Sequence, residues 1–132
     1  MGIFYVDCDV TNVNRPTKKV TVPKLLVDSG SECTWIPQDL LKKLGVKVFK
    51  KDEPFLMANG ETITRQVGCA YLEVGDFKTI DEIVFAQPGD LNLLGARTLE
   101  GFGAVVDPRK KKLVAGGPRP AAIAYRRPGA QA

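Results

Sequence analysis

Apolar and polar side chains alternate at every second position between residues 4 and 10. This period is typical of a strand with one buried face. A second apolar stretch, Val20 to Val27, contains Pro23, which predicts a bulge, an edge or a break at that point of a second strand. The stretch ends in Leu25-Leu26-Val27, and Asp28 follows directly. The pattern therefore places a carboxylate at the end of an apolar strand.

Two short helices are predicted. Pro37 suits the first position of a helix, Gln38 to Leu44 supply good helix formers, and Gly45 suits the left-handed residue that follows a last turn. A second candidate helix covers Ala96 to Glu100 and is followed by Gly101. Neither segment is long, so the helices contribute little to the predicted fold.

The rest of the chain is predicted to form hairpins. Pro54 to Ala58 and Thr62 to Val67 flank Asn59-Gly60, a dipeptide that strongly favours a hairpin turn. Further strands are predicted at Cys69 to Val74, Ile80 to Ala86, Ala104 to Val106 and Leu113-Val114, with turns at Gly75-Asp76 and Arg109 to Lys112. The fold class predicted from this pattern is mostly β.

The length of 132 residues suits one domain with its own core. We predict that this domain covers residues 1–115. Residues 116–132 are rich in proline and glycine and are predicted to be a tail that is flexible or contributes to dimer contacts.

Charge and cysteine content narrow the function classes. A net charge of +4 is spread over short basic runs with no nucleic-acid-binding motif, so we expect no nucleic-acid partner. No basic leader precedes an apolar core, and no run is long enough to span a bilayer, so we expect no membrane partner. Three cysteines without CxxC spacing indicate neither a disulfide framework nor a zinc site, and we predict them to be buried small hydrophobes in a cytoplasmic protein.

The chain contains no histidine, which removes the commonest metal ligand and the usual base of serine and cysteine nucleophiles. Any catalysis is therefore expected to come from carboxylates, with no metal and no cofactor. Asp28-Ser29-Gly30 is the strongest candidate. Peptide hydrolysis by carboxylates needs two of them facing each other and sharing one proton. One copy per chain predicts a homodimer.

This context resembles the retropepsin-like aspartic proteases, the single-lobed relatives of pepsin, over about Phe4 to Val114. Asp28 to Pro37 is similar to the active-site stretch of pepsin-like lobes, Asn59-Gly60 lies where a flap is expected, and Leu93-Leu94-Gly95 resembles the second, closing motif. The resemblance implies a closed β-barrel of the acid-protease type, with one or two short helices and a flap hairpin.

The resemblance also implies roles for individual residues. Asp28 would be the catalytic carboxylate of an aspartic endopeptidase acting on an extended polypeptide, supported by the loop residues Ser29, Gly30 and Ser31. Ser29 replaces the commoner threonine, and its hydroxyl can make the same cross-subunit hydrogen bond. Gly30 lets the backbone pass close to the carboxylate, and the hydroxyl of Ser31 would support the outer carboxylate oxygen.

Two further groups follow from the same resemblance. Ala58, Asn59 and Gly60 would form the tip of a substrate-binding flap, which is poorer in glycine than the retroviral one. Glu32 and Arg97 would pair near the dimer interface, although Arg97 lies one place later than in retroviral enzymes.

Other interpretations of these residues stay open at this stage. Asp28-Ser29-Gly30 and Asn59-Gly60 also suit ordinary turns, and Trp35 suits a core or pocket wall. A catalytically silent dimeric peptide-binding module with the same fold is the alternative function, and a basic nucleic-acid adaptor is a third. Asp107 also ends an apolar strand, but Pro108 follows it, which favours a turn.

Overall fold

The computed structural model describes residues 3–124. The described residues form nine strands and two helices: β1 (Tyr5–Asn12), β2 (Arg15–Val27), β3 (Thr34–Pro37), α1 (Gln38–Lys43), β4 (Val48–Leu56), β5 (Thr62–Val74), β6 (Phe77–Ala86), β7 (Leu93–Leu94), α2 (Ala96–Phe102), β8 (Ala104–Asp107) and β9 (Lys112–Ala115). The protein is mostly β with two short helices, as predicted. Neither helix of the described part is long and apolar enough to cross a membrane.

Seven of these strands form one sheet in the order β1-β2-β7-β3-β6-β5-β4, and β1 also pairs with β5. The pairs β2–β7 and β3–β6 are parallel. The hairpin pairs β1–β2, β4–β5 and β5–β6 are antiparallel. The strands β8 and β9 form a separate two-stranded sheet. The parallel pairs join segments distant in the sequence and, as described below, bring the ends of β2 and β7 together.

The irregularity predicted at Pro23 is present in β2. The register between β1 and β2 shifts between Val6 and Cys8, whose partners are Leu25 and Val22. Pro23 therefore lies in the shifted segment of β2, and the neighbouring Lys24 adopts a φ of 51°. This is a bulge, in which the strand bends and continues rather than ending.

The first helix differs from the prediction at its start. Pro37 is the last residue of β3 and caps the helix with extended backbone (φ −50°, ψ 127°), so the helix begins at Gln38. Gly45 adopts the predicted left-handed conformation, with φ 76°. The side-chain amide of Asn12 donates to the carbonyl oxygen of Leu44 at 2.8 Å and satisfies a group that the helix end leaves unpaired.

The predicted hairpin with its tip at Asn59-Gly60 is present, between β4 and β5. The amide of Gly60 donates to the carbonyl of Met57 at 3.0 Å, and φ of Gly60 is 88°. The following strand β5 is continuous over 13 residues, where two separate strands were predicted. Gly68 lies within β5, and a Cβ there would lie 2.6 Å from the carbonyl oxygen of Lys47, which directly precedes β4.

The hydrophobic core lies along the central strands. Its fully buried large side chains include Leu25, Ile36, Leu72, Ile83, Phe85 and Leu94. Burying each such side chain stabilises the fold by about 1.5–3 kcal/mol. Leu25 and Leu94 lie on β2 and β7, the two strands that Asp28 and Gly95 follow directly, so the core fixes both segments.

The prediction for the cysteines holds for one of the three. Cys8 is buried, Cys33 is half-buried and Cys69 is exposed. Cys69 lies between the buried residues Gly68 and Ala70 on β5, where successive side chains point to opposite faces. Its neighbours take the inward positions, and its own side chain therefore faces outward.

The described part of the tail, residues 116–124, is exposed and has no regular structure. The amide of Gly116 donates to the carbonyl of Gly103 at 2.8 Å, and the Arg119 guanidinium donates to the carbonyl oxygen of Gly101 at 3.0 Å. These bonds place the start of the tail against the end of α2. Residues 125–132 of the predicted tail lie outside the described residues.

Candidate active site

Asp28 follows β2 directly and is held there by β7. Leu26 and Val27 pair in parallel with Leu93 and Leu94. The amide of Asp28 continues this ladder by donating to the carbonyl oxygen of Leu94 at 3.0 Å. The carboxylate predicted at a strand end is therefore mounted on two paired strands.

The loop after Asp28 turns back on the carboxyl group. The amide of Gly30 donates to Asp28 Oδ1 at 3.0 Å, and the amide of Ser31 donates to the carbonyl oxygen of Asp28 at 3.2 Å. A Cβ at Gly30 would lie 3.3 Å from the same Oδ1, so glycine allows this close approach. Among the described residues, only the Gly30 amide donates to the Asp28 carboxylate, which is partly exposed.

The start of α2 is hydrogen-bonded to the same loop. The amide of Ala96 donates to the carbonyl of Ser31 at 2.7 Å, and the amide of Arg97 donates to the carbonyl of Glu32 at 3.0 Å. A Cβ at Gly95 would lie 2.9 Å from the carbonyl oxygen of Glu32 and closer still to that of Cys33. The predicted closing motif therefore packs directly against the Asp28 loop.

Ser31 is held by backbone hydrogen bonds, whereas Ser29 lies at the surface. Ser31 is fastened through its backbone, and the described residues show no hydrogen bond from its hydroxyl to Asp28. Ser29 is exposed and lines a shallow, largely apolar depression beside α2 and β8, together with residues that include Leu99, Ala104 and Val106. Its hydroxyl lies at the surface, outside the core.

The side chain of Arg97 pairs with a residue other than Glu32. Its Nη1 lies 3.1 Å from Glu82 Oε2, and Lys50 Nζ lies 3.0 Å from Glu82 Oε1. The hydrogen bond from Lys50, reinforced by Arg97, lowers the pKa of the Glu82 carboxyl. The expected side-chain pair of Glu32 and Arg97 is thus replaced in the single chain by a backbone hydrogen bond. No sequence motif indicated Glu82 or Lys50.

A cleft of about 390 Å³ runs between the Asp28 loop and the flap strand β4. Glu32 and Cys33 line it from the loop, and Lys50, Glu53, Pro54, Phe55 and Leu56 line it from β4. The ring of Trp35 packs against that of Phe55, with centroids 5.1 Å apart, and this contact supports the stem of the hairpin. The cleft lies beside the loop that carries Asp28.

The flap tip stands away from this cleft. Ala58, Asn59 and Gly60 are exposed, and Asn59 Oδ1 accepts the amide of Glu61 at 2.9 Å. It is the stem of the hairpin, Pro54 to Leu56, that lines the cleft. Sequence reasoning located the hairpin correctly, and the three tip residues that it named do not line the cleft.

The other strand-end aspartate, Asp107, is a turn residue, as predicted. Its Oδ1 accepts the amides of Arg109 and Lys110, each at 3.1 Å. Across the described residues, no group of three or more histidine, cysteine, aspartate or glutamate side chains is arranged to hold a metal ion.

Comparison with known proteins identifies the family of the chain. No curated protein matches the chain. The sequence model of one family, described as aspartyl protease, matches residues 11–98, a segment that includes Asp28, the flap hairpin and the Leu94-Gly95 turn. Because this match covers more than half of the chain, the protein belongs to the retropepsin-like aspartyl protease family.

Proposed function

We propose that the protein is an aspartic endopeptidase that acts as a homodimer and hydrolyses peptide bonds with water activated between two Asp28 carboxylates. The observation that carries the proposal is the mounting of Asp28. Its carboxylate is partly exposed at the end of β2, and its loop is hydrogen-bonded to β7 and α2. A rigid, accessible carboxylate is what such a reaction requires.

Two facing carboxylates cannot both ionise, so the pair shares one proton. The ionised carboxylate takes a proton from water, whose oxygen bonds to the peptide carbonyl carbon. The protonated carboxyl group donates a hydrogen bond to the carbonyl oxygen. Collapse of the tetrahedral intermediate breaks the C–N bond as a proton passes to the leaving nitrogen. This chemistry needs no metal, cofactor or covalent enzyme intermediate.

The second copy is proposed to dock beside Ser29. The depression at Ser29 is largely apolar, and Val105 on the adjacent β8 is 50% exposed. Covering these side chains would remove apolar surface from water and bring the two Asp28 loops together. The Ser29 hydroxyl would then be placed to hydrogen-bond across the interface.

The same proposal covers the barrel, the domain bounds, the substrate and the cellular location. The seven-stranded sheet, in which β1 pairs with both β2 and β5, is taken as the closed barrel of a single-lobed acid protease. Residues 1–115 form the protease domain, and the tail contributes to dimer contacts. The substrate is an extended polypeptide lying in the cleft beside β4, with the flap closing over it. The absence of nucleic-acid and membrane partners and a cytoplasmic location stay predictions.

The test is cleavage of an unfolded protein substrate from acidic to neutral pH by the wild type and by Asp28→Asn, with dimer content measured by sedimentation. The matched control is Asp107→Asn, since Asp107 also ends an apolar strand but accepts hydrogen bonds within a turn. We expect loss of cleavage in Asp28→Asn alone. A folded wild-type dimer that binds peptide but does not cleave would instead identify a silent peptide-binding module.

A further inference from the structure

A chain of hydrogen bonds runs through the interior behind the Asp28 loop. The amide of Gly95 donates to Thr34 Oγ1 at 2.9 Å, Thr34 Oγ1 lies 2.6 Å from Thr98 Oγ1, and Thr98 Oγ1 donates to Asp81 Oδ2 at 2.8 Å. Thr34 and Thr98 are both 0% exposed. This hydrogen-bond chain connects the turn between β7 and α2 with β3, α2 and β6.

The direction of these hydrogen bonds follows from the number of protons. Each hydroxyl has one proton to donate. Thr98 donates its proton to the Asp81 carboxylate, so the Thr34 hydroxyl donates to Thr98 and accepts from Gly95. The second oxygen of Asp81 accepts the amide of Glu82 at 2.7 Å. Each polar group in this hydrogen-bond chain therefore has a partner.

The hydrogen-bond chain ends at the amide of Gly95. The residues on either side of Gly95 are hydrogen-bonded to the Asp28 loop. The carbonyl of Leu94 accepts the amide of Asp28, and the amide of Ala96 donates to the carbonyl of Ser31. The Leu94 carbonyl lies in the same planar peptide unit as the Gly95 amide, so a rotation of that unit would move it, and the Ala96 amide lies in the next unit. The orientation of the Asp28 loop is therefore coupled to the Thr34 hydroxyl, which is itself oriented by Thr98 and Asp81.

We propose that Thr34, Thr98 and Asp81 are positioning residues that set the orientation of the Asp28 carboxylate through the Leu94-Gly95-Ala96 turn. The proposal rests on the proposed function, because it assigns these residues to the same reaction. They act through Gly95 rather than by contact with substrate. Small displacements of reacting groups reduce turnover strongly, so the effect is expected in kcat more than in KM.

The variants that test the proposal are Thr98→Val, which removes the hydroxyl at nearly constant shape, and Thr98→Ser, which keeps it. Thr11→Val is the matched control, since Thr11 is also buried but lies at the opposite end of β1 from the Tyr5–Leu26 pair. We expect Thr98→Val to lower kcat by about tenfold or more with little change in KM. Thr98→Ser and Thr11→Val should stay within about threefold of the wild type.

A second readout does not depend on turnover. The titration of the Asp28 carboxyl carbon, followed by NMR in the dimer, should shift in Thr98→Val and keep its wild-type midpoint in Thr98→Ser and Thr11→Val. If Thr98→Val does not fold, Asp81→Ala provides the comparison, because it removes the oxygen that accepts the hydrogen bond of the Thr98 hydroxyl.

The outcomes separate this proposal from the proposed function. A wild type that does not cleave overturns the proposed function, and the titration then decides the positioning role alone. A folded Thr98→Val or Asp81→Ala protein with wild-type kcat and an unchanged Asp28 titration overturns the positioning role. Equal losses of kcat in Thr98→Val and Thr98→Ser would also contradict it, because the serine keeps the hydroxyl.

Discussion

The carbonyl oxygen of Leu94 accepts the backbone amide of Asp28 at 3.0 Å. This hydrogen bond extends the parallel pairing of β2 with β7 by one residue beyond Val27. The candidate active site is therefore assembled from two segments far apart in the sequence, and neither holds the carboxylate alone.

The close packing of Gly95 against the Asp28 loop predicts that this position tolerates no side chain. In Gly95→Ala the added Cβ would lie 2.9 Å from the carbonyl oxygen of Glu32 and even closer to that of Cys33, so the Asp28 loop must move. We expect a loss of about 1–3 kcal/mol in the free energy of unfolding, or failure to fold, together with loss of peptidase activity. Urea unfolding and cleavage of an unfolded substrate measure the two effects.

Gly89→Ala is the control for this change. Gly89 has φ 92° and nothing within 4 Å of an added Cβ, so alanine there adds left-handed strain of about 1–2 kcal/mol without a clash. This variant should keep its activity. If Gly95→Ala were as active as Gly89→Ala, the close packing of Gly95 would not be needed to hold the Asp28 loop.

The flap prediction uses two glycines in similar turns. Gly60 at the flap tip and Gly75 in the β5–β6 turn have φ 88° and φ 58°, and neither has an atom within 4 Å of an added Cβ. Alanine at each position should cost about 1–2 kcal/mol of strain. We expect Gly60→Ala alone to raise KM for a peptide substrate, by about fivefold if ~1 kcal/mol of that strain opposes closure. Equal KM values for the two variants would indicate that the tip does not act on the substrate.

A pH-dependent contribution to stability is predicted at Asp90. Its carboxylate is held by Arg65, with Nε–Oδ2 2.7 Å and Nη2–Oδ1 2.8 Å, and also accepts the amide of Gln87. The hydrogen bond from Arg65 is the main cause that lowers the pKa of Asp90. A lowered folded-state pKa means that the stabilisation is complete above the ordinary aspartate pKa of about 3.9 and is lost as pH falls through the folded value.

Asp90→Asn should therefore lower the free energy of unfolding by about 1.5–3 kcal/mol near neutral pH, with a smaller difference from the wild type in acid. Urea unfolding across this range measures the difference. Asp76→Asn is the control, since Asp76 is exposed in the β5–β6 turn, and its stability should match the wild type. A penalty for Asp90→Asn that stayed constant with pH would show that the ion pair does not cause it.

The three thiols should react with an aromatic disulfide reagent in the order of their exposure. Burial raises the pKa of Cys8 to about 12, whereas Cys69 is exposed and Cys33 is half-buried beside the cleft. Because the thiolate is the reacting form and must also be reached, Cys69 should react first, Cys33 more slowly, and Cys8 only on unfolding. Peptide mass spectrometry after timed labelling measures the order, and Cys69→Ser should remove the fast phase. Early labelling of Cys8 in the folded protein would disprove the predicted order.

The sequence by itself determined the features that depend on local chemistry. Alternation of apolar side chains predicted β1, and Asn59-Gly60 predicted the flap turn, because strand period and left-handed turn residues act over a few positions. Gly45 and Gly60 adopt the positive φ angles that their positions required. The apolar run before Asp28 likewise placed the carboxylate correctly at a strand end, although the length of β5 was underestimated.

Only the tertiary structure decided which distant segments meet. Strand β3 has four residues and pairs in parallel with β6, so its short sequence carried no periodic signal. The partner of Arg97 proved to be Glu82, and the Thr34–Thr98–Asp81 hydrogen bonds joined three elements with no motif in common. These contacts arise when the sheet brings separate strands to one place, because long-range pairing depends on the packing of the whole core rather than on neighbouring residues.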